Sequence, residues 1–270
     1  MPLLWLRFAT VLYALGLLHS LLQMNKRGES LNRIAMPAMS LGMVFHFVSI
    51  SETAMLSGYA ELLNIRQAES VLGLLIVVCF MVFYVKFKSA SPGMFVFPLV
   101  FLLTISSAIG QHSGMAPVFR SKGWIAVHVT LLLIGYASLF FSFVASLLYL
   151  LQSRSLKSKQ PSGWVTRMPA LQDTDSYGYQ ALVVGFPFMT LGLIAGSVLA
   201  HEQYGPHYFA DPKVVLSMLM WGVYMLLLYT RWSAGWRGRK AAYLATFAFA
   251  AAVCAWAANY LSKVHRFAAP

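Results

Sequence analysis

Residues 125–151 read IAVHVTLLLIGYASLFFSFVASLLYLL, a run whose only ionisable groups are an imidazole and two phenols. It lacks the apolar–polar alternation of a strand, and it exceeds the roughly 20 apolar residues that a helix needs to cross a bilayer. Leu74–Tyr84 is a second run of the same kind. Composition agrees: 59% of the 270 residues are hydrophobic, 10% are charged, and the mean hydropathy is +0.67. A soluble domain keeps about a quarter of its residues charged. In hydrocarbon every backbone N–H and C=O must be paired within the structure, which leaves helical bundles and closed barrels. Without alternation, the bundle is the expected answer. The expected fold class is therefore all-α, a polytopic transmembrane bundle forming a single membrane domain over residues 1–270. Its spans fall near 3–24, 34–56, 70–86, 93–111, 124–151, 178–200, 213–231 and 241–262. The third and fourth are short and the fifth is long, so tilt is expected. Leu3–Met24 reads as a retained first span, because neither a basic n-region nor an A-x-A-like cleavage site precedes Met24.

Basic residues orient the bundle. With the N-terminus outside, the inner loops hold Lys26, Arg27, Arg33, Lys86, Lys88, Arg154, Lys157, Lys159, Arg167, Arg231, Arg237, Arg239 and Lys240, thirteen of the twenty Lys and Arg. Arg7, Arg66, Arg120, Lys122, Lys213, Lys263 and Arg266 fall on the outer side. The positive-inside rule then places both termini outside a bacterial cytoplasmic membrane. The formal charge of +12 serves mostly as an anchor on the anionic inner leaflet. Because it is split among four short loops, no nucleic-acid partner is expected. One sizeable inner loop is expected, Gln152–Tyr177, either a solvated connector with an interfacial helix or a docking surface for a cytoplasmic partner.

Two cysteines, Cys79 and Cys254, lie far apart in apolar runs. CxxC and CxxCH motifs are absent, which argues against a thiol–disulfide shuttle, a thiolate metal cage and covalent haem attachment to this chain.

The histidines carry the chemical signal, since an ionisable side chain within a span is a functional hypothesis by default. On this topology His112, His128, His201, His207 and His265 lie at or near the outer surface, His46 lies mid-span, and His19 lies toward the inner half of the first span. His128 stands one helical turn after Trp124, itself an ordinary interfacial anchor, and at that depth it needs a partner or a ligand. His265, in Lys-Val-His-Arg-Phe, has similar depth on the same side, a geometry that grips one ligand from two faces. Neutral imidazole suits Fe, Zn, Cu and Ni. Carboxylates on the outer half are few (Glu52, Glu61, Glu69, Glu202 and Asp211), and HExxH is absent, which disfavours hydrolytic zinc. Two imidazoles among aromatic side chains fit haem better, because its iron takes two axial ligands and its ring wants apolar surface. The stretch His201-Glu-Gln-Tyr204-Gly-Pro-His207-Tyr208-Phe209-Ala-Asp211-Pro-Lys213 offers either a flat platform for such a ring or an aromatic belt closed by a Gly-Pro turn. Arg66, Arg120, Lys122 and Lys213 could pair with propionates.

These blocks resemble the cytochrome c assembly, or haem-handling, membrane proteins of the CcsA/CcmC type. Trp124-Ile-Ala-Val-His128-Val with Gly135-Tyr136-Ala137 looks like the family's first outer histidine helix. Residues Tyr204 to Lys213 are similar to its tryptophan-rich haem loop, W-G-x-x-W-x-W-D-P-K. Trp221 to Arg231 and Gly235 to Ala242 match the next helix and inner turn, and Val264-His265-Arg266 lies where the family places its second outer histidine. The N-terminal half is looser, with Glu69-Ser70 matching only faintly. Where the family has tryptophans this chain has Tyr204, Tyr208 and Ala210, a degenerate loop that looks most like the HemX-type branch. The resemblance implies a non-covalent haem b bound by His128 and His265 as axial ligands. Tyr204, Tyr208 and Phe209 would line the ring, with His207 and Trp124 near it, and Asp211 and Lys213 would fix the loop or meet a propionate. His46 would be a relay toward the outer site, or a hydrogen-bonding group between helices. Implied partners are haem and a cytochrome c assembly membrane protein. No catalytic residue is assigned, and haem handling or delivery at the outer face is expected rather than catalysis. Three rivals remain: a regulator or scaffold acting on a haem-biosynthesis enzyme through the inner loop, a secondary transporter, and an enzyme joining haem to apocytochrome thiols with a partner's help.

Overall fold

The computed structural model describes residues 1–23, 31–57, 65–109, 122–158, 165 and 168–262, and among these residues the chain is helical, without strands. The helices are α1 (Pro2–Gln23), α2 (Leu31–Ser57), α3 (Ile65–Phe87), α4 (Gly93–Ile109), α5 (Lys122–Lys157), α6 (Leu171–Tyr204), α7 (Pro212–Trp232) and α8 (Arg239–Ala257). Seven are long and apolar enough to cross a membrane, and α4 is a shorter apolar helix of 17 residues. Large apolar side chains stay exposed along them, among them Leu22, Val82, Leu219 and Phe247, each about three-fifths exposed. A soluble protein does not display such surfaces, so the chain is a multi-pass helical membrane protein.

Two helices extend beyond their expected bounds. At 36 and 34 residues, α5 and α6 are about 50 Å long at 1.5 Å per residue, well over the hydrocarbon thickness. The expected inner loop Gln152–Tyr177 is corrected accordingly: α5 continues to Lys157 and α6 begins at Leu171. Asp173 lies in the first turn of α6, where a carboxylate is favoured by the positive end of the helix dipole. Similarly, Glu69 and Ser70 belong to α3, which starts at Ile65.

The chain divides into two compact units. The first comprises residues 1–112 with 151–171. Here α1 packs on α2 and α4, and α3 packs on α4 and α2. Aromatic rings fill gaps that glycines leave: a Cβ at Gly16 would lie 2.5 Å from the Phe97 ring, and one at Gly42 would lie 2.7 Å from Tyr13. Thr10, Thr53 and Thr104 return their hydroxyls to carbonyls four residues earlier, which pairs these groups within their own helices.

The second unit comprises residues 113–150 with 172–270. Its core joins Leu139, Leu182, Met189, Met220, Tyr224 and Leu227 to the alanines at 245, 248, 252 and 255 of α8. A row of glycines on α6 seats α5. A Cβ at Gly178 would meet Ala145 at 3.1 Å, one at Gly185 would meet Ser138 at 2.8 Å, and one at Gly192 would meet Leu132 at 2.7 Å. The partners descend along α5 as the glycines ascend along α6, so the pair is antiparallel. Close approach over small residues is how helices associate in lipid, where no hydrophobic effect drives them together.

At the other end of the α6–α7 pair, Asp175 receives two bonds from the Arg231 guanidinium, at 3.0 and 2.9 Å, and a third from the Gly238 N–H at 3.2 Å. The guanidinium also lies over the Tyr179 ring. Gly235 and Gly238 both have φ of +65°, a conformation that suits glycine, so the carboxylate pins the turn between α7 and α8. Removing one member of a largely buried pair typically costs about 3–5 kcal/mol. Asp175→Asn is expected to lower the midpoint of denaturant unfolding in detergent by an amount equivalent to about 3 kcal/mol, and Asp173→Asn, at an exposed position, by less than about 1 kcal/mol.

Candidate functional site

Of the expected site residues of the second unit, Trp124 and His128 stand in the first two turns of α5, and Tyr204 to Lys213 span the end of α6, the turn after it and the start of α7. Trp124 is 63% exposed, as an interfacial anchor should be. One turn on, the His128 Nδ1 lies 2.7 Å from the Gly192 carbonyl oxygen of α6. A carbonyl only accepts, so Nδ1 carries the proton and donates it. In the neutral ring Nε2 is then a lone-pair acceptor, and among the described residues nothing is bonded to it. One turn beyond Gly192 comes Gly196, where an added Cβ would run into the imidazole.

Local chemistry shapes the expected aromatic stretch. Gly205 takes φ +64°, and Gly205–Ala210 forms a 3-10 turn with Pro206 near its start. Asp211 caps α7: its carboxylate accepts the Lys213 N–H at 3.0 Å, with Pro212 in the first turn, where a missing N–H costs nothing. Asp211 is buried. Tyr208 is also buried, with its ring centroid 4.2 Å from that of Phe209 and 6.3 Å from that of His201. Phe209 and Tyr204 are exposed, as are His201 and His207.

Lys213 lies within electrostatic range of the His128 ring, and its Nζ donates to the Asn259 side-chain oxygen. Asn259 belongs to a 3-10 turn, Ala258–Tyr260, that follows α8. It precedes His265 by six positions, and His265 itself lies outside the described residues, as do His112, Arg120 and the Lys122 side chain. Gly192, Gly196 and Asn259 were not expected as site residues. The glycines carried a readable signal, since Gly178, Gly185 and Gly192 recur every seven residues. Asn259 carried none.

His46 belongs to the first unit, where it is fully buried. Its Nε2 lies 2.8 Å from Ser70 Oγ of α3, and its Nδ1 lies 3.3 Å from the Tyr13 hydroxyl of α1. Both nitrogens are engaged, so the imidazole ties three helices. One of these bonds must break before His46 can coordinate iron. Glu69 accepts from Ser106 at 2.8 Å, and His19 and Arg66 are half-buried.

A sequence profile of the family described as Cytochrome C assembly protein matches residues 7–265. The chain belongs to that family. The cytochrome c biogenesis protein CcsA of Heterosigma akashiwo is 29% identical over 235 residues, covering 72% of this chain and 73% of the relative. CcsA of Trieres chinensis is 26% identical over 292 residues, covering 95% and 93%. CcsA of Chlamydomonas reinhardtii is 33% identical over 141 residues, covering 52% of this chain and 38% of the relative. The family is thus of CcsA type, and the match spans both structural units.

Truncating His46 would leave the Tyr13 and Ser70 hydroxyls without their partner, at a cost of about 1–3 kcal/mol. His46→Leu is expected to lower thermal stability in detergent, and His46→Gln, which can still donate and accept, to recover part of the loss.

Proposed function

We propose that this CcsA-type protein handles haem for cytochrome c assembly, with His128 as one axial ligand and His265 as the other. The observation that carries the reading is the state of His128, whose Nδ1–H is held by a backbone carbonyl while Nε2 keeps its lone pair. Metal-ligating histidines are commonly arranged in this way, the carbonyl orienting the ring and raising its basicity. The other residues fit haem. Lys213 supplies a cation for a propionate, with Asn259 holding its ammonium in place. Tyr204 and Phe209 offer exposed flat faces beside the buried Tyr208. The same hydrogen bond ties the segment leading to His265 to the start of α7, the helix that follows the aromatic turn.

The bound group would be a non-covalent haem b, whose iron supplies two axial positions. Ligation by two histidines leaves no open position, which suits holding and delivery better than oxygen chemistry. The basic-residue count supports a site at the outer face of a bacterial cytoplasmic membrane with both termini outside. Tyr204, Tyr208 and Ala210 in place of tryptophans support a HemX-type branch. A partner assembly protein would receive or present the haem. The scaffold alternative would act through the segment 152–177, whose two ends belong to α5 and α6.

Purified from cells supplied with haem, the wild-type protein is expected to show a Soret band. His128→Ala or His265→Ala should each diminish it, and the double variant should abolish it. Equal haem content in wild type and double variant would overturn the ligand assignment.

A further inference from the structure

The α6 surface beneath His128 consists of two glycines one turn apart, and they do different things. Gly192 supplies the carbonyl that takes the imidazole proton at 2.7 Å, while its missing Cβ makes room for Leu132. The missing Cβ of Gly196 makes room for the imidazole itself. A methyl group there would occupy the space of the ring near Cε1 and Nδ1, so the ring could not stay in place and keep its bond to Gly192. Leu132, one turn further along α5, packs on Gly192, which is buried. Glycine at 196 is therefore tied to the orientation of His128 rather than to backbone conformation, since the residue sits in regular helix.

We infer that Gly192 and Gly196 form a seat on α6 that locks His128 in its Nδ1–H tautomer and presents Nε2 to the iron of the bound porphyrin. Gly196 is then a positioning residue. The inference rests on His128 being a haem ligand, and it adds which groups make it one. In water the Nε2–H tautomer of imidazole is the commoner, so a ring left to itself would mostly present the wrong nitrogen. The seat removes that choice before haem arrives, and a preset ligand needs no reorganisation on binding.

Two measurements test the seat. The first needs no haem: nitrogen NMR of the ¹⁵N-histidine-labelled, haem-free full-length protein in detergent, with the His128 signal assigned by its loss in His128→Gln. The expected result is a neutral ring protonated at Nδ1. A ring protonated at Nε2 would overturn the inference even if His128 binds haem.

The second uses chemical rescue. His128→Ala is expected to lose most of its Soret band, and millimolar imidazole should restore it by occupying the vacated seat. In His128→Ala with Gly196→Ala the seat is filled and restoration should fail. Alone, Gly196→Ala should weaken haem retention by about tenfold and shift the Soret maximum. Gly185→Ala, a comparable clash elsewhere on the seam with Ser138 at 2.8 Å, should leave the maximum in place. Rescue that proceeds equally with alanine at 196, or a wild-type Soret maximum and retention in Gly196→Ala, would overturn the seat. A full Soret band in His128→Ala would instead overturn the ligand assignment, and the seat with it.

Discussion

At Gly185 the two longest helices come so close that an added methyl group would stand 2.8 Å from the Ser138 Cβ and 3.1 Å from the Gly135 carbonyl. Much of what the second unit can do depends on this approach. In lipid, burying a leucine against another helix gains little over burying it against acyl chains, so contact has to come from close packing and from hydrogen bonds. The glycines at 178, 185 and 192 repeat every two helical turns and hold one face of α6 against α5 along much of its length. Because the helices run antiparallel, the same face continues to the end of α5 that carries His128. There the small-residue contact changes character: it accommodates an imidazole and gives it a backbone acceptor. Helix packing and the seating of His128 therefore share one surface.

The two ends of this unit solve opposite electrostatic problems. Near the α7–α8 turn, Asp175 collects three hydrogen bonds and neutralises Arg231, which fixes the turn at the cost of desolvating both charges. Near His128, the Asp211 carboxylate caps a helix while Lys213 is held by a neutral amide. The Asp211 carboxylate also lies within electrostatic range of that ammonium. In the first unit the polar groups instead close on one another, with His46 joined to Tyr13 and Ser70 and the threonines bonded within their own helices.

Architecture was legible because the bilayer imposes it. Charge-free runs of the length of 125–151 have few alternatives, and the order of the histidine and aromatic blocks pointed to the family that residues 7–265 match. The start of α6 was not legible. Asp173 and Asp175 read as loop residues because acidic side chains are costly in a span, yet one sits in the first turn at the helix N-terminus and the other in an ion pair with a residue 56 positions away. The site was half legible. His128 stands out as an imidazole in an apolar helix, but its tautomer is decided by Gly192, 64 residues further on. Asn259 could not be singled out at all, since its role is given by Lys213, 46 positions earlier. Contacts of that range leave no local pattern.

The central claim is that Nε2 of His128 is kept available for haem iron and is matched by a second histidine. A reduced-minus-oxidised absorption spectrum of the purified wild-type protein after haem loading tests it most directly. The account predicts the sharp α and β bands of a six-coordinate, low-spin haem b with two imidazole ligands. A featureless difference spectrum, or the spectrum of free haem in detergent, would contradict it.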